Sequence, residues 1–470
     1  MPVQWAGLPP PVLLDLARGT GRPLRAQLEG GLRDAIRGGR LPIGERLPSS
    51  RELARQLGVS RGLVQDCYGQ LVAEGYLTSL VGSGTRVATG AWSAAAHRSS
   101  VASRPTLRVD FESGVPDLGS FPRENWAWAV REACRTIPSA GLSYGDRRGS
   151  ARLREVLAGY LRRVRAAAAD PENIVVCTGF AQGFALVLRV LTRAGCGRVA
   201  LEDPGYGDPE LSLSSRTVRR AGAELVHVPV DERGIDVDAL QASGARIVVV
   251  TPAHQSPTGV VLAADRRHAL VRWADRNDGY ILEDDYDSEF RYDREPIGVL
   301  QGLAPERVLA VGTTSKSLAP TVRLGWVLAP PGLVGALGEE KQLDDRGTPG
   351  LDQLALAALL ESGRYDRHLR RMRASYARRR SALVDSLARH APEVRLTGLA
   401  AGFHAVAHLP DDADERAVVA AALDRRIGLY GMSQFRADGR ATPAQLVFGF
   451  GNVGERAIED GIATVGDLLR

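Results

Sequence analysis

A chain of 470 residues is long enough for two or three domains, and its 44% hydrophobic and 24% charged residues are typical of a globular protein. It has no apolar run of about 18 residues and no basic-then-apolar N-terminus, so no membrane span is predicted and a cytoplasmic location is expected. Residues 12–90 contain 11 Arg and 7 acidic residues, which places most of the net charge of +5 there and favours a polyanionic partner. The cysteines are far apart without a CxxC pair, which indicates reduced thiols rather than a metal site; they are Cys67, Cys134, Cys177 and Cys196.

The first part of the chain predicts three short helices. Apolar residues recur every four positions over residues 24–36. Ser49 followed by Glu52 is a capping box for a second helix, which Gly58 ends, and Ser60 can cap a third.

The third helix has two different faces. Val64, Tyr68 and Leu71 form an inward stripe, whereas Arg61 and Gln65 point outward one turn apart. Residues 76–87 then read as two short strands around a Gly-Ser-Gly turn. The pattern predicts a winged helix-turn-helix, and the alternative is a small helical bundle with a hairpin.

Residues 23–88 resemble the GntR family of bacterial winged-helix regulators. The resemblance is carried by the segments GERLPSSR (44–51), LGVSR (57–61) and AEGYL (73–77). It implies binding of double-stranded operator DNA through arginines at phosphates or base edges, with the wing tip in the minor groove. Gly62-Leu63 departs from the polar or small residues usual there, which affects the expected operator sequence. The implied DNA-binding residues are Arg46, Ser49, Ser50, Arg51, Ser60, Arg61, Gln65 and Gly82.

Three domains are therefore predicted, namely a DNA-binding domain at 12–88, a flexible Ala- and Ser-rich linker at 89–108, and a large domain at 109–470. In the large domain, apolar strands alternate with helical segments, which predicts an α/β fold with a mainly parallel sheet. Its large subdomain is expected at about 140–340, and its small subdomain in the C-terminal part. The predicted strands are at 174–177, 198–201, 247–250, 280–282 and 308–311.

Lysine is rare in this chain, which has 60 Lys+Arg but only two lysines, Lys316 and Lys341. An ammonium group can lose its proton and attack a carbonyl, whereas a guanidinium cannot. Lys316 is therefore predicted to form a Schiff base. Lys341, in an acidic helical segment, is predicted to be a solvated charge.

The polar residues at the ends of the predicted strands are expected to form one ligand site, because parallel sheets bind ligands at the carboxyl ends of their strands. The helix start at 179–183 suits a phosphate, and so does Arg323 with Thr313 and Ser315 near Lys316. The acidic run at 283–289 suits either a metal such as Mg²⁺ or a cationic ring nitrogen. A phosphorylated pyridine aldehyde, pyridoxal 5′-phosphate (PLP), uses all of these groups.

Residues 109–470 resemble a fold-type I aminotransferase domain, and the whole chain resembles the MocR subfamily of GntR regulators. The motifs are YGD (144–146), EDPGY (202–206), TPAHQSPTG (251–259), EDDYDSEF (283–290) and residues 312–326. The resemblance implies a head-to-tail homodimer in which Lys316 forms the imine with PLP, Asp284 holds the pyridinium nitrogen, Tyr286 the ring 3-oxygen, and Tyr206 stacks on the ring. The further cofactor residues that it implies are Phe180, Ala181, Ser256, Thr313, Ser315, Arg323 and, from a second subunit, Tyr144.

Two positions depart from the aminotransferase pattern. Ser256 stands where asparagine is usual, and Gln255 or His254 is a candidate to replace its hydrogen bond. Val447 stands at the usual position of the arginine that binds the substrate carboxylate, an interaction worth about 1.5–3 kcal/mol. Arg436 or Arg440 could supply that contact instead.

Three functions are compatible with these residues. The first is a cytoplasmic transcription regulator that senses PLP or a PLP–amino compound adduct, with control of vitamin B6 synthesis preferred over sensing of an amino acid or amine. The second is a PLP-dependent aminotransferase with a secondary DNA-binding domain, for which a half-reaction fits better than turnover. The third is a large domain that only dimerises, which the retained Lys316 disfavours.

Overall fold

The computed structural model describes residues 16–17, 21–80, 84–88, 106–206, 212–287, 289–292 and 297–470. Contacts divide the chain into two compact units, with the division between Arg104 and Pro105, inside the predicted linker. Gly82 at the predicted wing tip and most of that linker lie outside the described residues, and the predicted domain bounds stay predictions. None of the described helices is long and apolar enough to cross a membrane.

The N-terminal unit has three helices followed by a β-hairpin. Its helices are α1 (Leu24–Arg37), α2 (Ser50–Leu57) and α3 (Arg61–Ala73), and its antiparallel strands are β1 (Leu77–Leu80) and β2 (Gly84–Val87). The inward stripe predicted for α3 is buried in one core with apolar residues of α1 and α2. The predicted winged helix-turn-helix is therefore confirmed.

Side-chain caps explain where α2 and α3 begin. Ser49 Oγ accepts a hydrogen bond from Glu52 N at 3.2 Å, and Ser60 Oγ accepts one from Leu63 N at 3.2 Å. The carboxylate of Glu52 pairs with Arg55 at 2.6 Å rather than returning to Ser49, so only half of the predicted capping box forms.

The C-terminal unit is an α/β structure. Its strands are β3 (Val109–Asp110), β4 (Ile174–Cys177), β5 (Arg198–Asp203), β6 (Glu224–Asp231), β7 (Gly234–Ile235), β8 (Ile247–Val250), β9 (Tyr280–Asp285), β10 (Val308–Thr313), β11 (Gly325–Leu328), β12 (Arg395–Thr397), β13 (His404–His408), β14 (Ile427–Gly428) and β15 (Gln445–Gly449). Its helices are α4 (Arg123–Thr136), α5 (Ala151–Arg165), α6 (Phe180–Arg193), α7 (Leu213–Arg220), α8 (Val237–Ser243), α9 (Ala264–Arg276), α10 (Pro331–Asp345), α11 (Gly350–Glu361), α12 (Arg364–His390), α13 (Glu415–Asp424) and α14 (Glu455–Val465).

Eight of these strands form one sheet in the order β4-β11-β10-β9-β8-β5-β6-β7. Neighbouring strands from β10 to β6 are parallel. Strand β11 runs antiparallel to β10, and β7 runs antiparallel to β6. Their central residues are buried on both faces, as continuous apolar runs require. The register pairs Val311 with Asp284 and Gly312 with Asp285, so the chain segments that follow β9 and β10 leave the sheet at the same edge.

A smaller antiparallel sheet, β12-β13-β15, lies in the C-terminal part of the unit. The long helix α12 packs against α14 and against α11. This part supplies His404 and Phe435 to the cavity described below.

The prediction for the second lysine is wrong. Lys341 on α10 is 0% exposed, and its Nζ donates to Asp345 Oδ1 at 2.7 Å and to Oδ2 at 2.6 Å. Its charge is therefore buried and paired within one helical turn, not solvated.

Candidate functional site

A cavity of about 360 Å³ lies at the edge of the sheet where β9 and β10 end. Every predicted cofactor residue except Tyr144 lines it, so the strand ends assemble one site. Its lining residues are Ser113, Gly114, Phe180, Ala181, Tyr206, Leu213, Ser214, Ser256, Asp284, Tyr286, Thr313, Ser315, Lys316, Arg323, His404 and Phe435.

Lys316 follows β10 and reaches into this cavity. Its Nζ donates a hydrogen bond to Gly114 O at 2.6 Å. Burial lowers the pKa of Lys316, partly opposed by the nearby carboxylates of Asp284 and Asp287. A lowered pKa makes the neutral amine more accessible, and the neutral amine is the form that attacks an aldehyde.

Asp284 is the carboxylate that faces the cavity, and one of its oxygens lacks a partner. Oδ2 accepts a hydrogen bond from Tyr206 at 2.7 Å, whereas Oδ1 is buried and has no hydrogen-bond partner among the described residues. Burial raises the pKa of Asp284 to about 8. A buried carboxylate of this kind requires a cation or a donor, and the protonated nitrogen of a pyridine ring is both.

The opposite end of the cavity is suited to a phosphate. Helix α6 begins there after Gly179, which has a φ of 103° and provides no side-chain cap to the free N–H groups. A Cβ at Gly179 would lie 3.4 Å from Arg323 Nη1 and 3.6 Å from Thr313 Oγ1, so the guanidinium, the hydroxyl and the helix start converge. Thr313 Oγ1 also donates to Ser315 Oγ at 3.0 Å.

The other carboxylates of the acidic run have separate partners. Glu283 accepts hydrogen bonds from the backbone N–H groups of Leu300 and Gln301. Asp285 forms a two-point ion pair with Arg165, at 2.6 and 2.8 Å. Asp287 pairs with His254, so the described members of the run do not converge as magnesium ligands would.

Tyr286 is connected to a buried histidine–carboxylate pair that the sequence did not predict. Its hydroxyl donates to His254 O at 3.1 Å. His254 Nδ1 lies 2.8 Å from Asp287 Oδ2, and Nε2 lies 3.2 Å from Gly398 O. Because a carbonyl oxygen only accepts, Nε2 carries a hydrogen.

The pair is packed tightly against the segment that leads into β13. A Cβ at Gly402, which has a φ of 69°, would lie 2.3 Å from Asp287 Oδ2. One ligand atom from each of His254, Asp287 and His404 lies within 4.8 Å of the other two, a spacing that could hold a metal ion. Both ring nitrogens of His254 already have partners, so the arrangement is that of a hydrogen-bonded link.

Ser256 lines the cavity, and its hydroxyl interacts with that of Tyr286. Gln255 does not replace the usual asparagine, because its Nε2 donates to Pro204 O at 2.8 Å and its Oε1 accepts from Thr258. His254 does not replace the asparagine either, because its two ring nitrogens contact Asp287 and Gly398 O.

Tyr144 is not part of its own chain's cavity. It is 76% exposed, with the guanidinium of Arg346 5.1 Å from its ring centroid. Its expected contribution from a second subunit stays a prediction, as does stacking by Tyr206, whose described contact is the hydrogen bond to Asp284.

The residues predicted to stand at or replace the substrate-carboxylate arginine do not line the described cavity. Val447 is 1% exposed and packs with Val406, Met432 and Phe435. The guanidinium of Arg436 donates to loop carbonyls and to Gln445 Oε1 at 2.6 Å. Arg440 is exposed and pairs with Asp438 at 3.0 Å. Among the described residues, Arg323 is the one arginine that lines the cavity, at its phosphate end.

The N-terminal unit presents a second candidate site on α2 and α3. Arg51, Arg61 and Gln65 are exposed, as is Arg46 in the preceding loop. Tyr68 OH donates to Pro48 O at 3.0 Å and fixes α3 against the loop before α2. Of the predicted contacts, Ser49 and Ser60 are the helix caps, Ser50 is the first residue of α2, and Gly82 lies outside the described residues.

Two family models match the chain. Residues 24–87 match the bacterial regulatory proteins of the gntR family, and residues 108–446 match aminotransferase class I and II.

Two relatives and one solved structure extend this result. The HTH-type pyridoxine biosynthesis transcriptional regulator PdxR of Corynebacterium glutamicum is 35% identical over 98% of both chains. The probable rhizopine catabolism regulatory protein MocR of Rhizobium meliloti is 36% identical over 80% of both. LysN, the alpha-aminoadipate aminotransferase of Thermus thermophilus, complexed with N-(5′-phosphopyridoxyl)-L-leucine, is 26% identical, with a TM-score of 0.67 over 78% of this chain and 92% of that one.

Proposed function

The chain belongs to the MocR subfamily of GntR-type transcription regulators, and from this premise we propose that PLP, bound in the large domain, controls how the N-terminal domain holds its operator DNA. The observation that carries the proposal is the presence of two candidate sites in one chain. One is the exposed face of α3, the second helix of the helix-turn-helix, and the other is a cavity with an amine, a phosphate cradle and a carboxylate oxygen that has no partner among the described residues.

The cavity fits PLP residue by residue. Lys316 would offer the amine for the aldehyde, Asp284 Oδ1 would accept a hydrogen bond from the ring nitrogen, and Arg323 with Thr313 and Ser315 would hold the phosphate. When bound, PLP supplies a reactive carbonyl and an electron-withdrawing ring. Tyr206 holds Asp284 in place through its 2.7 Å hydrogen bond.

The apolar surroundings of Val447 favour a role in sensing the cofactor over steady transamination. A substrate carboxylate needs a bidentate cation for orientation, and the described cavity lining provides none besides Arg323 at the phosphate end. We therefore expect at most a half-reaction with an amino compound. An aminotransferase remains the second candidate, because Lys316 and Asp284 are both retained.

The effector and the regulated genes are inferred from the relatives. The full-length similarity to a pyridoxine biosynthesis regulator favours control of vitamin B6 synthesis, with PLP itself as the signal. Sensing of an amino acid or amine through its adduct with PLP is the alternative. We further propose a cytoplasmic head-to-tail homodimer in which Tyr144 reaches the partner's cavity.

The decisive experiment combines cofactor spectra with DNA binding. Lys316→Ala and Lys316→Arg should both lose the visible absorbance of the bound cofactor, since neither side chain can condense with an aldehyde. The same variants should lose the PLP-dependent change in operator binding that the wild type shows in mobility-shift titrations with its own upstream region. Retained absorbance in both variants would contradict the cofactor assignment.

The DNA-binding domain needs a separate control. Arg61→Ala should weaken specific DNA binding and reduce its salt dependence, while the cofactor spectrum stays unchanged. Arg55→Ala, on the preceding helix and paired with Glu52, is the matched control. Turnover of an amino donor and a keto acid without specific DNA binding would favour the aminotransferase instead.

A further inference from the structure

A second cavity of about 420 Å³ lies on the large domain, between the start of α4 and one face of α12. Its lining is mixed, and three of its nine lining residues are basic, namely Arg123 from α4 and His368 and Arg371 from α12. Glu124 is the one carboxylate in that described lining. None of the functions proposed above uses this cavity.

Both arginines of this lining are exposed. Neither the Arg123 nor the Arg371 side chain has an ion pair or hydrogen bond to any described residue, whereas the side chains of Arg364, Arg378 and Arg379 of the same region are all bonded. Arg123 is also the first residue of α4, where a positive charge opposes the helix dipole. Two unpaired guanidinium groups beside a helix start create a positive potential that an anion would relieve.

The walls of the cavity are held in position by their own hydrogen bonds. Asn125 accepts from Arg364 at 2.8 Å, and Ser120 Oγ donates to Asp117 at 2.7 Å. Asp117 is in turn neutralised by Arg379 at 2.6 Å. These bonds fix the wall around Asn125 and Ser120, while the exposed Arg123 and Arg371 side chains are free to close on a ligand.

His368 connects this cavity to the lysine of the first one. It is 2% exposed, and its Nε2 lies 2.8 Å from Ser317 O, so Nε2 carries the hydrogen and Nδ1 is left for a ligand. Ser317 directly follows Lys316, and its hydroxyl is fixed by Tyr365 OH at 2.8 Å. A ligand that contacts His368 therefore acts on the peptide next to Lys316.

We propose that this cavity is a second ligand site, which takes a small phosphate-type dianion between Arg123 and Arg371 and acts on Lys316 through His368 and Ser317. The dianion is either inorganic phosphate or the phosphate group of a small ester, because both present the same tetrahedral oxygens to the guanidinium groups.

The site has a predicted pH dependence. Burial lowers the pKa of His368, and Arg371 lowers it further, while Ser317 O and Asp117 raise it. Arg123 and Glu124 face the same space from α4. His368 is therefore mainly neutral in the free protein at neutral pH, and a bound dianion favours its protonated form. Binding should tighten as the pH falls from about 8 to about 6.

The test is a calorimetric titration of the full-length, PLP-loaded protein with sulfate, whose charge does not change over this pH range. The wild type should bind sulfate saturably, and Arg371→Ala should weaken that binding about tenfold or more through loss of a charge-assisted contact. Arg370→Ala is the matched control, because Arg370 is exposed on the same helix but does not line the cavity. Sulfate held by the DNA-binding domain would persist in Arg371→Ala and is thereby separated.

Two further measurements test the link and the ligand. His368→Gln should remove the pH dependence of sulfate binding, and sulfate should shift the visible absorbance of the cofactor in the wild type but not in Arg371→Ala. Titrations with glycerol phosphate and with inorganic phosphate compare the affinity of the site for a phosphate ester with its affinity for the free anion. Absence of saturable binding, or equal weakening in Arg370→Ala and Arg371→Ala, would overturn the site; binding without an absorbance change would overturn its link to Lys316.

Discussion

Replacing Asp284 by asparagine should have opposite effects on the cofactor-free protein and on PLP binding. Burial raises the pKa of this carboxyl from 3.8 to about 8, so the folded protein retains a proton that the unfolded chain releases. The stability of the cofactor-free protein is then unaffected by this group below about pH 4 and falls as the pH rises towards about 8. At about pH 7 the penalty is at most about 4 kcal/mol, at about 1.36 kcal/mol for each pH unit. Asparagine removes it.

The same substitution weakens the cofactor complex. Asp284 Oδ1 has no partner among the described residues, and its contact with a pyridinium nitrogen is a charge-assisted hydrogen bond worth about 1.5–3 kcal/mol. Loss of that bond corresponds to a fall in PLP affinity of about ten- to a hundredfold. A neutral asparagine also cannot stabilise the positive charge of the ring.

Thermal melts of the cofactor-free protein at about pH 5 and about pH 8 test the first effect, and PLP titration by absorbance tests the second. Asp284→Asn should melt above the wild type at the higher pH, and the difference should shrink at the lower one. Asp385→Asn, at an exposed position on α12, is the control and should change neither quantity. A variant that melts below the wild type at the higher pH, or that binds PLP equally well, would refute the assignment of Asp284 as the ring partner.

Two further predictions concern other parts of the chain. Ser49→Ala removes the cap of α2 and should destabilise that helix by about 1 kcal/mol, seen as faster hydrogen exchange of residues 50–57 with Ser79→Ala as the control. His254→Ala leaves Asp287, which is 1% exposed, buried without its partner and should destabilise the large domain by about 1–3 kcal/mol in thermal melts. The exposed His268→Ala should be neutral, and equal effects of the two histidine variants would contradict a structural link at His254.

The cofactor cavity could be predicted because its groups follow a simple rule. Asp284 lies at the end of β9, Lys316 three residues after β10 and Arg323 two residues before β11, and the register of these strands brings the three positions to one edge of the sheet. Local sequence indicates Lys316 and Arg323, whereas the resemblance to fold-type I aminotransferases is what selects Asp284 from the acidic run. Local sequence also indicates the caps at Ser49 and Ser60, since a cap depends on residues only three positions apart.

Contacts between distant segments could not be predicted in this way. The link from His254 to Gly398 joins residues 144 positions apart, and no local pattern indicates it. The prediction for Lys341 is wrong because its acidic neighbourhood suggests solvent, whereas Glu340 beside it pairs with Arg189 and Arg193 from α6. These cross-helix ion pairs, set by tertiary packing, cover the stretch of α10 that carries the lysine.

The burial of Lys341 has a consequence for the stoichiometry of aldehyde capture. Free PLP condenses with any accessible primary amine, so a lysine-rich surface would consume it non-specifically. Here the chain has two lysines: Lys341 is 0% exposed and held by Asp345, while Lys316 opens into the cavity. The remaining 58 basic side chains are arginines, whose guanidinium groups stay protonated and do not compete. The folded chain thus offers the aldehyde a single reachable lysine amine, so capture by lysine is limited to one PLP per chain.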